Sequence, residues 1–201
     1  MGSSPHCATP APKLQGLPGF VTLIALQSGF WRKFLVRMTD PSNALQSFQQ
    51  ALLNGEIQLK QLKRGVLDKN LYVYADKPNG ESRLTYARLE GRTVTAFVVV
   101  ASCEPIEGKP CFNIGYAVPE AYRNQGRAKE AVRAAIAEMQ QGFGRVGYSV
   151  IYVEAIVGAD NKPSQRVAEQ VISDTPVAVT DQISGLPAFQ YVRRIEQPTT
   201  S

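Results

Sequence analysis

Apolar residues recur along this chain with two different periods, and the change of period divides it. Leu45, Phe48 and Leu52 are spaced for one face of a helix. Thr39 or Asp40 can cap it, Pro41 suits its first position, and Asn54-Gly55 ends it. A less regular piece over 56–68, helical or extended, comes next. Apolar and β-branched runs then predict strands over 71–75, 83–89, 93–102 and 112–118, with Pro78-Asn79-Gly80 and Gly91-Arg92 as turn chemistry. Connections this short predict an antiparallel meander. Beyond it the period lengthens. Ala128, Val132, Ala135 and Met139 form a helical stripe closed by Gly142. A strand over 148–157 follows, and Asp160-Asn161-Lys162-Pro163-Ser164 opens a short helix carrying Val167, Ala168 and Val171. Strands over 176–180 and 188–195 complete the series. The order predicts one α+β, or mixed α/β, domain without internal repeats.

The amino-terminal part reads differently. Residues 1–16 are rich in Ser, Pro and Ala and are expected to be disordered. Residues 19–31 are apolar but too few to span a bilayer. Arg32 and Lys33 follow the apolar run rather than precede it, which makes a poor signal peptide. Met38-Thr39-Asp40-Pro41 reads as a fresh start. Residues 1–37 are therefore expected to be a leader outside a single domain over 38–201. A genuine first strand or an export signal is the rival reading.

Composition narrows the chemistry. A chain of 201 residues with net charge +5 suits one domain and a polyanionic small-molecule partner. No basic run with interleaved aromatics marks a nucleic-acid surface, so that class is disfavoured. The single histidine, His6, lies in the leader, which argues against a Ser-His-Asp or Cys-His hydrolase and against a histidine-rich metal site. No metal is expected. Cys7, Cys103 and Cys111 are odd in number and lack Cys-x-x-Cys spacing, as reduced thiols of a cytoplasmic protein would. Cys103 and Cys111 are spaced to neighbour each other across a strand connection, although spacing cannot show a bond.

Residues 115–131 say most about function. An apolar strand leads into a polar turn carrying Arg-x-x-Gly-x-Ala and then into a helix. Such a junction aims unpaired amides and the positive end of a helix dipole at one point, which suits a phosphate. Gly126 lets an anion approach the backbone, and Arg123, Arg127 and Lys129 add positive charge. The turn is neither a Walker loop nor a Gly-x-Gly-x-x-Gly fingerprint. A plain strand–turn–helix junction with basic surface residues fits it equally well.

The wider context decides between these. Residues 115–131 resemble the Gly-Tyr-x-Val-Pro-Glu-x-Tyr-Arg-x-x-Gly-x-Ala-x-Glu-Ala block of the GNAT acyl-CoA N-acetyltransferases, closest to the branch of ribosomal-protein amino-terminal acetyltransferases. The strand over 153–157 and Asn161-Lys162-Pro163-Ser164 resemble the next block of that family, so the resemblance spans residues 70–195. It implies a central, mostly antiparallel sheet with a splayed pair of strands, flanked by helices, and acetyl-CoA as cosubstrate in the V between that pair. It also implies that backbone groups near Tyr116 and Val118 bond the pantetheine. The amides of Arg123, Asn124, Gln125, Gly126, Arg127 and Ala128 hold the pyrophosphate, Asn161 contacts the pantetheine arm, and Ser164 forms the neighbouring wall. Asn161 reads equally well as a helix cap.

Acetyl transfer to an amine needs a base for the amine proton and an acid for the leaving thiolate. Glu154 in mid-strand is the leading base candidate and Glu104 the second, while Tyr116 and Tyr191 are candidate acids. Ordinary solvated carboxylates and packed rings are the alternatives. Many family members carry a Tyr in the helix after Asn-x-x-Ser and close it with Gly-Phe. Here Val167-Ala168-Glu169 and Ile172-Ser173 occupy those places. The expected function is transfer of an acetyl group to a primary amine of a protein or small molecule. The alternative is a catalytically inactive acyl-CoA sensor of the same fold. The acceptor amine cannot be read, and assembly as a homodimer stays open.

Overall fold

The computed structural model describes residues 41–197. The expected leader over 1–37, with its apolar run, and the cap at Thr39 or Asp40 lie outside the described residues. Helix α1 (Pro41–Asn54) is followed by a 3-10 turn (Leu59–Gln61) and a short strand β1 (Lys63–Arg64). The meander is β2 (Leu71–Asp76), β3 (Arg83–Glu90), β4 (Thr93–Ile106) and β5 (Lys109–Ala117). Then come α2 (Arg127–Arg145), β6 (Val150–Gly158), α3 (Lys162–Val171), β7 (Val177–Thr180) and β8 (Pro187–Glu196).

Three elements depart from the sequence reading. The 56–68 piece is neither one helix nor one strand but the 3-10 turn plus β1. The β4–β5 hairpin extends further than expected, because Glu107 (φ 51) and Gly108 (φ 69) make a tight two-residue turn. Helix α2 passes through Gly142 to Arg145, because Phe143 is buried against Phe112 with ring centroids 4.6 Å apart. The packing of that ring outweighs the poor helix propensity of its glycine neighbours.

The sheet has the order β1-β2-β3-β4-β5-β6-β8-β7. Leu45, Phe48 and Leu52 of α1 pack on one face with Ala87, Val94, Phe97 and Val99. Helices α2 and α3 cover the other face, where Val132, Ala135, Met139 and Ala168 meet Val98, Val100, Ile114, Ile151 and Val153. Strand β4 is thus buried on both sides over 94–101, which explains its nearly unbroken apolar run. Each such Leu, Val or Phe contributes about 1.5–3 kcal/mol of burial.

All strand pairs are antiparallel except β5 with β6, which run parallel because α2 carries the chain between them. That ladder is short: Cys111↔Tyr152, Phe112↔Val153 and Asn113↔Glu154. Beyond it β5 stays with β4 as far as Phe97↔Ala117, and β6 stays with β8 as far as Gly158↔Ala188. The carboxyl ends of β5 and β6 therefore part, opening a V in the sheet with Asn113 and Glu154 at its apex.

The loop after β1 is pinned from below. Glu138 of α2, only 8% exposed, accepts the backbone N–H groups of Val66 (2.9 Å), Leu67 (2.7 Å) and Asp68 (2.9 Å). Gly65 makes this possible. A Cβ there would sit 2.5 Å from both the Glu138 carboxylate and the Asp68 carbonyl. Asp68 in turn takes a two-pronged bond from Arg88, at 3.2 and 2.5 Å. Burial works to raise the Asp68 pKa, but the Arg88 guanidinium and the Asn70 amide outweigh it and hold the carboxyl below its usual value.

Candidate active site

The turn at the mouth of the V leaves a row of backbone amides open. A 3-10 turn (Glu120–Tyr122) leads to Asn124 (φ 60) and Gly126 (φ 76), both left-handed, before α2 begins at Arg127. An added Cβ at Gly126 would meet only Glu130 Oε1, at 3.8 Å. Glycine is therefore favoured there by conformation rather than by crowding within the chain. The Arg123 N–H donates to Glu120 C=O at 3.2 Å, and the Glu130 N–H donates to Gly126 C=O at 3.1 Å. Between them the amides of Asn124, Gln125, Gly126, Arg127, Ala128 and Lys129 have no acceptor among the described residues. The open set thus begins one residue later than the sequence suggested.

The basic side chains brace this turn more than they line it. Arg123 Nε donates to Val118 C=O at 3.2 Å. Arg127 lies 4.6 Å over the Tyr122 ring and donates to Glu90 at 2.8 Å and to Gln125 Oε1 at 3.1 Å. Lys129 Nζ reaches Gln170 Oε1 of α3 at 3.2 Å. Arg123 and Lys129 bond only neutral groups and keep their full charge beside the open amides and the positive end of the helix dipole.

One wall of the V is tied to its floor. Tyr116 pairs with Val98 on the helix-covered face, and its hydroxyl donates to the Ser164 carbonyl at 2.6 Å. This bond links β5 to the first turn of α3. Burial, and then the neighbouring Tyr191, push the Tyr116 phenol up. Asn161 caps α3, its Oδ1 accepting the Ser164 N–H at 3.2 Å. The cap reading of Asn161 therefore holds, and its Nδ2 has no partner among the described residues.

The apex holds Glu154. Its two oxygens accept Asn113 Nδ2 at 3.0 Å and Gln190 Nε2 at 2.8 Å, and it has no ion pair among the described residues. Cys103 and Cys111 sit beside it, directly opposite each other across β4 and β5, as their spacing suggested. The other candidates lie elsewhere. Glu104 is exposed near the hairpin end of β4, beyond the Cys103↔Cys111 pair and away from the opening. Tyr191 is fully buried and shares the helix-covered face with Ala155, so the sheet separates it from Glu154. Burial and then Glu169 raise its phenol. The structure brings together Asn113, Glu154, Gln190 and the two thiols; sequence reasoning named Glu154 as a base and the two cysteines as neighbours, but neither Asn113 nor Gln190. Asn113 and Gln190 carried one legible signal: each is a polar residue between two large apolar ones, Phe112 and Ile114 or Phe189 and Tyr191.

The described residues thus form a cleft between parting parallel strands with a turn of open amides at its mouth. Residues 45–171 match the acetyltransferase (GNAT) domain, and the chain belongs to that family. It is an N-acetyltransferase by family. No curated protein matches the chain. Among solved structures it is similar to RimL, a ribosomal L7/L12 alpha-N-protein acetyltransferase in complex with coenzyme A. That pair shares 16% identity over 81% of this chain and 94% of the other, with a TM-score of 0.47. A GNAT-family acetyltransferase from Streptococcus pneumoniae aligns at 12% identity over 79% and 97%, TM-score 0.46. The ribosomal-protein-S18-alanine N-acetyltransferase from Escherichia coli aligns at 15% identity over 59% and 73%, TM-score 0.40.

Proposed function

We propose that this chain moves the acetyl group of acetyl-CoA to a primary amine of a protein or small molecule. One observation carries the reading. The β5–β6 ladder stops at Asn113↔Glu154, and β5 runs directly into a turn whose amides from Asn124 to Lys129 lack acceptors. The extended pantetheine arm lies along the unpaired edge near Tyr116 and Val118. The pyrophosphate meets the open amides. Asn161 offers its free Nδ2 to the arm, and Ser164 supports the wall through its bond from Tyr116.

At the apex an amine nitrogen attacks the thioester carbonyl. The C–S bond breaks, the amine gives up a proton, and the thiolate gains one. Glu154 takes the amine proton, directly or through water, since it stands where the V opens and is held by neutral amides rather than by a cation. Much of the acceleration comes from holding the two reactants together. The domain is proposed to span 38–201, with 1–37 outside it, and to work in the cytoplasm. Among the described residues no helix is long and apolar enough to cross a membrane.

Incubation with acetyl-CoA and a panel of amines, including peptides with free amino termini, tests this directly. Amine-dependent release of free thiol, with an acetylated product by mass spectrometry, is the expected result. Tight acetyl-CoA binding without turnover on any amine would favour an inactive sensor instead.

A further inference from the structure

We propose that Cys103, Cys111 and Glu154 form a binding site for a thiophilic divalent cation, best matched by Zn²⁺. The two sulfurs and a Glu154 oxygen all lie within 4.8 Å of one another. A tetrahedral zinc ion with bonds of about 2.3 Å to sulfur and 2.0–2.2 Å to oxygen places its ligands roughly 3.5–3.8 Å apart, so small side-chain rotations suffice. Two thiolates with one carboxylate suit zinc better than the harder Mg²⁺ or Ca²⁺. The fourth position is left to water.

The surroundings support an ion at this point. Cys111 is fully buried on β5, and Cys103 faces it from β4, so the backbone ladder fixes both sulfurs. Asn113 and Gln190 each donate to a Glu154 oxygen and set the orientation of the carboxylate, as partners behind metal ligands commonly do. Three groups that become anionic converge here without a paired cation among the described residues. A divalent cation here would stabilise both thiolates and offset the Glu154 charge. The Cys103–Cys111 interval matches no metal motif, but the hairpin closed by Glu107-Gly108 sets the two in register.

Metal binding here does not depend on acetyl transfer. An ion on Glu154 would occupy the carboxylate assigned to the amine proton, so the metal-loaded and transferring forms exclude each other. The test uses the full chain with His6→Ala and Cys7→Ser, so that these two residues add no ligand. The protein is stripped with chelator, reduced with a phosphine and titrated with Co²⁺. The expected result is saturation at one equivalent, with a thiolate-to-cobalt charge-transfer band and the strong visible bands of tetrahedral cobalt, both removed by one equivalent of Zn²⁺. Cys103→Ser and Cys111→Ser should each weaken binding by at least about 100-fold. Cys103 is only half-buried, so its variant keeps the test valid if loss of Cys111 harms folding. A folded, reduced protein without the charge-transfer band, or a band that survives both substitutions, overturns the site.

Discussion

Two carboxylates in this molecule hold similar numbers of hydrogen bonds and do opposite things. Glu138 is buried beneath the 65–68 loop and is met by three backbone amides, which the chain cannot withdraw without unfolding the loop. Glu154 stands at the apex of the V and is met by two side-chain amides, from Asn113 and Gln190, which can rotate away. Saturation by backbone turns a carboxylate into a fastener. Support by side chains leaves lone pairs that a proton or a cation can claim. The difference lies in the partners rather than in burial alone.

Glu154→Gln should produce the largest effect. The change keeps size and much of the hydrogen bonding but removes the proton acceptor, so turnover should fall by about 10²–10⁴ while acetyl-CoA affinity stays nearly constant. Near-normal turnover would pass the role to the amine arriving already neutral, with the protein supplying position alone. Glu138→Ala should instead leave the chemistry in place and cost about 3 kcal/mol of stability in urea denaturation, since three amides lose their acceptor. A cost under about 1 kcal/mol would mean that water replaces the carboxylate and that the fastener reading is wrong.

The smallest effect belongs to Asp68. Its carboxyl is held below its ordinary value in the folded chain, so its pairing with Arg88 stabilises fully above that ordinary value. The contribution is lost as the pH falls through the lowered one. The melting-temperature gap between the natural chain and Asp68→Asn should therefore be widest near neutrality and close as the pH falls below the ordinary carboxylate range. Because the pair is partly exposed, the gap corresponds to no more than about 1 kcal/mol. A gap that stays constant with pH would show that the ion pair is not its source.

The contrast between Glu138 and Glu154 also marks what the sequence could reveal. The turn at 123–128 was legible because strand, turn and helix start are contiguous, and Arg-x-x-Gly-x-Ala carries its own geometry. The meander strands and the Leu45, Phe48, Leu52 face were legible because periodicity reports burial directly. The role of Glu138 was hidden, because its partners at 66–68 lie 70–72 residues away in the chain. The facing of Tyr191 was hidden as well, because it follows from the register of β8 on β6, where Ala155 is its partner. Gly142 misled because helix ends answer to packing, here that of Phe143, as much as to propensity. Glu104 and Glu154 looked alike as strand carboxylates until the parting of β5 and β6 gave one of them the apex.

The central claim is that the open amides around Gly126 hold the phosphates of acetyl-CoA. Calorimetry of acetyl-CoA binding to the natural chain and to Gly126→Asp tests it most directly. Space for the side chain exists, and aspartate tolerates the left-handed backbone better than most residues, so the variant should melt cooperatively. Its carboxylate would stand beside the bound phosphates at the helix start. Binding to the natural chain at one equivalent, with affinity lowered at least tenfold in the variant, roughly 1.4 kcal/mol or more, is the predicted result. Equal affinity in the two folded proteins would contradict the account.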